Sequence, residues 1–312
     1  MRALVTGGAG FIGSHVADHL LKSGYEVHVI DDLSTGFRAN VSDRAVLHEL
    51  DVRGPEAAVL ISELSPHVLF HHAAQMDVRR SVRDPLFDAD VNVKGSLNVL
   101  EACRKFSVTR VVYASTGGAV YGEPETLPVP ESHPIRPISH YGVSKHTVEH
   151  YLFLYRQLYD LDYVILRYPN VYGPRQNPHG EAGVTAIFTL AYLEGRTPVV
   201  YGDGTQERDY LHVSDVARAN LSCADLTDER LSGQVFNLGW GVGRSVLELD
   251  RIIRDYVGTD SEPTFAPARA GEINRISLDS GKARRIMGWE PKVNLRDGLR
   301  ELVEHHRGLV QR

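Results

Sequence analysis

Tyr141 and Lys145 stand four residues apart in "SHYGVSKHTVEHYLFLYRQLYDL", a spacing that puts both on one face of a helix. A phenol normally keeps its proton until about pH 10. A neighbouring ammonium favours the phenolate, which would make Tyr141 a usable base at neutral pH. The spacing also arises in ordinary amphipathic helices, so its meaning depends on what surrounds it. Upstream, "ASTGGAVYG" (114–122) offers the hydroxyls of Ser115 and Thr116 and then two glycines, and no carboxylate lies between Arg110 and Glu123. A rim with hydroxyls, a phenol and an ammonium can move a proton to and from an alcohol. It lacks the acid that would protonate a leaving group.

Positioning such groups requires a scaffold, and "RALVTGGAGFIGSHVADHLLKSGYEVHVIDD" supplies its first unit. Residues 2–5 form a short apolar run, as a strand covered on both faces requires. Ile12, Val16 and Leu20 recur at helical spacing, Gly24 stops the helix, and Val27, Val29 and Ile30 resume a strand. Gly7, Gly10 and Gly13 fill the turn between strand and helix. Gly7 permits the tight turn, Gly10 lets the backbone approach a pyrophosphate, and Gly13 lets helix and sheet pack closely. The helix N-terminus offers free N–H groups to phosphates. Asp31 follows 18 residues after Gly13, at a strand end. A carboxylate there takes the ribose hydroxyls and repels a 2′-phosphate, favouring NAD over NADP. A nicotinamide cation beside Tyr141 is then a second charge that favours the phenolate.

The pattern continues. Residues 67–74 and 110–115 read as further strands, and "DADVNVKGSLNVLEACRKF" has helical apolar spacing at Val91, Leu97, Val99, Leu100 and Phe106. Strands alternating with helices predict an α/β fold, a Rossmann-type doubly wound parallel sheet. Ligands in such sheets bind beyond the carboxyl ends of the strands, which places Ala73, Ala74, Ser115, Thr116 and the glycine turn along one rim. From about Pro178 shorter mixed elements predict a smaller C-terminal α/β lobe. The division is 1–177 for the cofactor domain, with some later segments returning to it, and 178–312 for the substrate lobe.

Composition narrows the function. The 34 basic and 40 acidic residues give a net charge of −6 with no basic stripe, which argues against nucleic acid. No apolar run approaches the roughly 20 residues of a membrane helix, and a strand beginning at residue 2 leaves no room for a signal peptide. Two cysteines, Cys103 and Cys223, sit in segments that read as buried helix. That usage fits a reducing cytoplasm.

The chain resembles the extended short-chain dehydrogenases/reductases, and within them the UDP-glucose 4-epimerase group. The likeness rests on "TGGAGFIGS" (6–14), "AAQMDVRRSV" (73–82), "VNVKGSLNVLEAC" (91–103), "YGVSK" (141–145), "LRYPNVYGPRQ" (166–176) and "RDYLHVSDVARA" (208–219). The resemblance implies that NAD is lined by Phe11, Ile12, Asp31, Asp32, Asp51, Val52, Ala73, Ala74, Asn92, Tyr141, Lys145 and Pro169. It implies a UDP-sugar substrate whose diphosphate meets Asn170, Arg208 and Arg269. Glu272 would approach the ribose, and Val200 and Tyr201 would flank the uracil. It further implies a homodimer through the Tyr141 helix.

Relatives that eliminate water or decarboxylate place acids just before "VYG", where this chain has Gly118 and Ala119. The implied reaction is therefore oxidation and re-reduction at one carbon, with Tyr141 as base and Lys145 holding the nicotinamide ribose. One position departs from the pattern: Gly117 replaces the usual Ser or Thr. Thr116, Ser115 or a water could take over the missing hydroxyl, and Thr116 is favoured. The leading expectation is a UDP-glucose/UDP-galactose 4-epimerase. A UDP-glucuronate 4-epimerase is the alternative, with Arg175 or Arg79 as donors to the C6 carboxylate. An NAD-sensing module without catalysis is disfavoured by the intact Tyr141–Lys145 pair. "HTVEH" (146–150) spells an inverted zinc-protease motif, yet its histidines turn away from Lys145 on the helix and no third ligand is evident. No metal is expected.

Overall fold

The structure, a computed structural model, describes residues 1–179, 183–268 and 273–310. The first half alternates strand and helix: β1 (Arg2–Thr6), α1 (Phe11–Lys22), β2 (Glu26–Asp31), β3 (Val46–Glu49), α2 (Pro55–Leu64), β4 (Val68–His71), α3 (Val78–Arg83), α4 (Pro85–Ala89), α5 (Gly95–Lys105), β5 (Arg110–Thr116), α6 (Gly117–Val120), α7 (His140–Tyr159) and β6 (Asp162–Tyr168). Shorter pieces follow: β7 (Asn170–Tyr172), α8 (Val184–Leu193), β8 (Val199–Tyr201), β9 (Glu207–Arg208), β10 (Tyr210–His212), α9 (Val213–Ser222) and β11 (Gln234–Asn237). The chain ends with β12 (Arg244–Ser245), α10 (Val246–Val257), β13 (Thr264–Ala266), β14 (Arg275–Ile276), α11 (Gly281–Met287) and α12 (Leu295–Val310).

Seven strands make one parallel sheet in the order β11-β6-β5-β4-β1-β2-β3. The order reverses between β1 and β4, the crevice where doubly wound sheets bind a dinucleotide. Period-two alternation assigns each strand residue to a face. Leu4, Ile30, Leu69, Val111 and Ile165 pack under α2, α5 and α7 through Ala57, Ile61, Val99, Cys103, Val148 and Leu152. Ala3, Val5, Val29, Phe70, Val112 and Val164 pack under α1 and α9 through Val16, Leu20, Val216 and Ala219. Burying such side chains stabilises by about 1.5–3 kcal/mol each, so both faces lock the rim between them.

The second half is interleaved with the first. Strand β11 pairs with β6 in the main sheet, and α9 covers the same face as α1. A separate core under α8, α10 and α12 gathers Phe188, Tyr192, Val200, Leu249, Ile253, Leu299 and Leu302. A third cluster joins the halves: Val120, Tyr121 and Val129 pack on Ile273, Ile276 and Leu278. Three local features differ from the sequence expectation. The strand at 67–74 ends at His71, leaving Ala73 and Ala74 as irregular rim. The half-exposed edge strand β3 is an addition, because it carries no apolar alternation that would mark it in the sequence. A π-helical turn, Asp90–Lys94, interrupts the helix expected before α5, and Phe106 lies just past its end.

Candidate active site

The cofactor turn sits at the crevice. Gly7 adopts φ +69°, and a Cβ on it would lie 2.6 Å from the Ala73 nitrogen. A Cβ on Gly13 would lie 2.2 Å from the Gly7 oxygen, so Gly13 serves the turn itself as much as the helix packing. On Gly10 a Cβ would meet only that oxygen, at 3.2 Å. Helix α1 starts after Gly10 with no side-chain cap, leaving its first-turn N–H groups, including those of Phe11 and Ile12, open to phosphate. Asp31 is buried and accepts from the Ala9 nitrogen at 2.9 Å and the Leu33 nitrogen at 2.9 Å. Burial nonetheless leaves its pKa raised. This carboxylate therefore braces the glycine turn from the strand end where a ribose would lie.

The other implied cofactor residues have visible duties of their own. Asp32 is exposed and holds the Ser34 nitrogen and hydroxyl. Asp51 is paired with Arg53, which lowers its pKa. Val52 is buried against Gly95. Asn92, in the π turn, gives both amide hydrogens to protein, to the Gln75 carbonyl at 2.9 Å and to Asp88 at 3.1 Å, while its oxygen accepts from the Gln75 nitrogen. Pro169 lies half-buried between β6 and β7.

At the centre, Ser139 caps α7 by accepting from the Gly142 nitrogen, and the Tyr141 nitrogen donates to Ser81 at 3.1 Å. Gly142 is needed for contact, since a Cβ there would lie 2.6 Å from the Ala119 oxygen. That contact seats Tyr141 against the end of β5, where its phenol hydrogen-bonds the Thr116 side chain. Lys145, one turn on, is buried with Nζ 4.3 Å from the centre of the Tyr113 ring. Burial lowers its pKa to about 7, against the opposing pull of Glu149 and Asp88. In the protein alone burial, with Asp88 adding to it, raises the Tyr141 phenol to about 12, and the Thr116 bond only partly offsets this.

The three candidates for the third group separate clearly. The hydroxyl of Ser115 is buried and donates to Glu149 at 2.5 Å, behind the rim. Thr116 is half-exposed and beside Tyr141. At Gly117 a side chain requires Leu278 to shift, because a Cβ there would lie 2.3 Å from Cδ1 of Leu278. Gly118 is open; its nearest neighbours would be Asn170 Oδ1 at 3.7 Å and Thr116 Oγ1 at 3.9 Å. Thr116 and Asn170 thus border one open face at Gly118, with Tyr141 bonded to Thr116.

On the side of the smaller lobe, Asp209 separates two short strands, β9 and β10. Arg208 is half-buried, and among the described residues it bonds only carbonyl oxygens, of Glu207 at 2.9 Å and Asn274 at 3.2 Å. Val200 turns its side chain into the small lobe's core, whereas Tyr201 faces outward. Arg269 and Glu272 lie outside the described residues. Arg175 is not at this site: its guanidinium pairs with Asp18 of α1 at 2.7 Å, and its nitrogen donates to His305 of α12. Arg79 lies exposed on α3. In "HTVEH", His146 bonds Glu149 and His150 bonds His146. Among the described residues no three metal-ligating side chains converge, and no helix is long and apolar enough to cross a membrane.

Sequence reasoning missed Asp88 and Glu149, the buried carboxylates beneath the pair, and Leu278, which fills the space at Gly117. Glu149 repeats the Tyr141–Lys145 spacing once more, a signal present in the sequence. Asp88 and Leu278 are brought in only by tertiary structure.

The chain matches the NAD dependent epimerase/dehydratase family over residues 3–239. It is 46% identical over 316 residues to a UDP-glucose 4-epimerase of Mycolicibacterium smegmatis, covering 100% of each chain. The solved UDP-glucose 4-epimerase of Thermotoga maritima with UDP-glucose superposes with a TM-score of 0.96 at 45% identity, over 99% of this chain and 100% of that one. That of Thermus thermophilus, in complex with NAD, superposes with a TM-score of 0.92 at 45% identity over 99% of both. The glycine cradle, the uncapped α1 terminus and Asp31 fit that cofactor. With this turn at the topological crevice and the Thr116–Tyr141–Lys145 row beside it, the chain belongs to the NAD-dependent epimerase/dehydratase family.

Proposed function

We propose that the protein is a UDP-glucose 4-epimerase that interconverts UDP-glucose and UDP-galactose by transient oxidation at C4. The observation that carries this reading is the hydroxyl–phenol–ammonium row, Thr116, Tyr141 and Lys145, beside a β5–α6 rim that holds no carboxylate. NAD, when bound, supplies the hydride acceptor and donor and, in its oxidised form, a positive charge near the phenol. Tyr141 takes the proton of the C4 hydroxyl, and Thr116 orients that hydroxyl and the phenol toward each other. Lys145, in its ammonium form, supplies a positive charge one helical turn away that favours the phenolate. The 4-keto sugar, held by its diphosphate at Arg208 and Asn170, turns over at the open face of Gly118. Tyr141 then returns the proton to the C4 oxygen of the epimer. The rim segment between Arg110 and Glu123 offers no acid to eliminate water or to deprotonate C5, which leaves inversion at C4 as the outcome.

The uronate reading loses support, because Arg175, one of its two candidate donors, is tied to Asp18. The UDP-sugar lobe in this proposal is residues 178–312. The outer face of α7 carries exposed Val143, Phe153, Leu154 and Leu158, which supports a homodimer through that helix. Free, buried Cys103 and Cys223 support a cytoplasmic setting. The test is proton NMR with equal UDP-galactose and UDP-galacturonate and no reductant. Growth of UDP-glucose with the uronate untouched is expected. Inversion of the uronate first would overturn the assignment.

A further inference from the structure

Beneath the catalytic pair lies a carboxylate for which the reaction has no direct use. Asp88, in α4, is fully buried. Its Oδ1 accepts from the Gln75 amide at 2.9 Å and the Asn92 amide at 3.1 Å, and its Oδ2 accepts from Ser144 at 2.5 Å. Gln75 follows the Ala73–Ala74 rim, Asn92 is in the π turn, and Ser144 precedes Lys145 on α7. One side chain therefore ties the cofactor rim to the catalytic helix. Its hydrogen-bond partners are three donors, the pattern that an ionised carboxylate satisfies.

We propose that Asp88 is a positioning residue for the epimerase reaction: its buried carboxylate registers α7 against the rim and fixes a negative charge beneath Tyr141 and Lys145. This inference rests on the Tyr141–Lys145 reading and adds the group that sets that pair's charge. The surroundings of the pair are accounted for. Helix α7 contributes Glu149, which bonds Arg167, Ser115 and His146. Strand β5 contributes Tyr113 and Thr116, and the end of β4 contributes His71 and His72, both neutral in their buried setting. Helix α3 contributes the Ser81 hydroxyl, while Arg80 and Arg53 lie against Phe87 and not toward the pair.

A negative charge at this place acts on both partners in the same direction. It holds Lys145 as the ammonium and opposes ionisation of Tyr141, and both effects accompany Asp88 in the structure. Removing the charge should therefore move both ionisations to lower pH. A residue that only fills space would change the rate without moving them.

The experiment compares Asp88→Asn, Asp88→Glu and Ser144→Ala in the NAD-loaded enzyme, using pH profiles of kcat for UDP-galactose. In parallel, the tyrosinate absorbance of each substrate-free variant is titrated, with Tyr141→Phe subtracted. Asp88→Asn is expected to shift the acid limb, the alkaline limb and the tyrosinate midpoint to lower pH by about one unit. Asp88→Glu, which keeps the charge, should leave all three in place. Ser144→Ala keeps the charge and loses the tether, so kcat should fall several-fold with the limbs unmoved. Unmoved limbs in Asp88→Asn would overturn the electrostatic role. Should that variant fail to fold, a Ser144→Ala enzyme with unchanged kcat would overturn the positioning role. Retained turnover in Tyr141→Phe would instead overturn the base assignment itself, a separate outcome.

Discussion

Two buried carboxylates flank the site and are held in opposite ways. Glu149, two turns after Tyr141 on α7, forms a short ion pair with Arg167 and also bonds Ser115 and His146. Burial works against its charge, but the bonds from His146 and Arg167 prevail and bring its pKa down to about 2. Asp209, next in sequence to Arg208, has no cation bonded to it among the described residues. It accepts from the backbone nitrogens of Leu278, Trp240 and Gly241, and burial raises it to about 6. The cofactor half thus closes its charges internally, whereas the substrate half leaves Arg208 on carbonyl oxygens among the described residues. An arginine held this way is suited to a diphosphate. A preformed ion pair there would have to break before substrate could bind.

The largest expected break in this division comes from the catalytic half. Tyr141→Phe removes the base and keeps the ring, so kcat should fall by about 10³-fold or more with an unchanged circular dichroism spectrum. A loss below tenfold would mean that the proton leaves by another route. Thr116→Ala should cost less, about tenfold in kcat, since a bound water can replace part of one neutral hydrogen bond. In the substrate half the signature differs. Arg208→Gln should raise KM for UDP-galactose with kcat much less affected, lowering kcat/KM by about 10- to 100-fold, the range of a charged hydrogen bond. Equal losses in kcat from Arg208→Gln and Tyr141→Phe would erase the distinction between the halves.

A smaller effect tests where the halves meet. Gly117→Ser restores the hydroxyl common in the family but drives Cβ into Leu278. Overpacking of this kind costs about 1–3 kcal/mol, so the melting temperature should drop. Leu278→Ala in the same chain should recover part of it, a coupling that a double-mutant cycle reads directly.

Much of this division is legible in the residues alone. The glycine turn, Asp31 and the Tyr141–Lys145 spacing are local signals, and the alternating apolar runs dictate the doubly wound sheet. Relations between distant segments are not legible. Nothing in "DPLFDADVN" says that Asp88 turns inward while Asp84 caps a helix and Asp90 pairs with Arg53 and Lys94. The π turn that reorients Asn92 has no periodic signature. Arg175 reads as a substrate donor because its motif borders the site, yet it adopts a positive φ of 67° and its guanidinium pairs with Asp18 of α1. Gly117 reads as a lost hydroxyl, and only the tertiary structure shows that Leu278 fills the space a side chain there would take.

The finest test uses pH, because the two carboxylates contribute with opposite sign. Glu149 is depressed in the folded state, so its contribution is fully present above its ordinary value near 4.5 and is lost as pH falls toward about 2. Asp209 is raised, so its contribution is greatest below its ordinary value near 3.8 and is lost as pH rises through about 6. Thermal melts of the wild type between pH 3 and 7 therefore combine two opposed slopes. Glu149→Gln removes only the acid-side one. In that variant the melting temperature, although lower at neutral pH, should fall less than in the wild type as pH drops from 4.5 to 3. The wild-type minus variant difference should be flat from pH 5 to 7, where Glu149 is charged in both the folded and the unfolded chain. A difference that varies across pH 5–7 and persists in a His146→Asn background, which removes the imidazole bonded to Glu149, would mean that Glu149 and Asp209 titrate as a coupled pair, and that the two halves are not electrostatically separate.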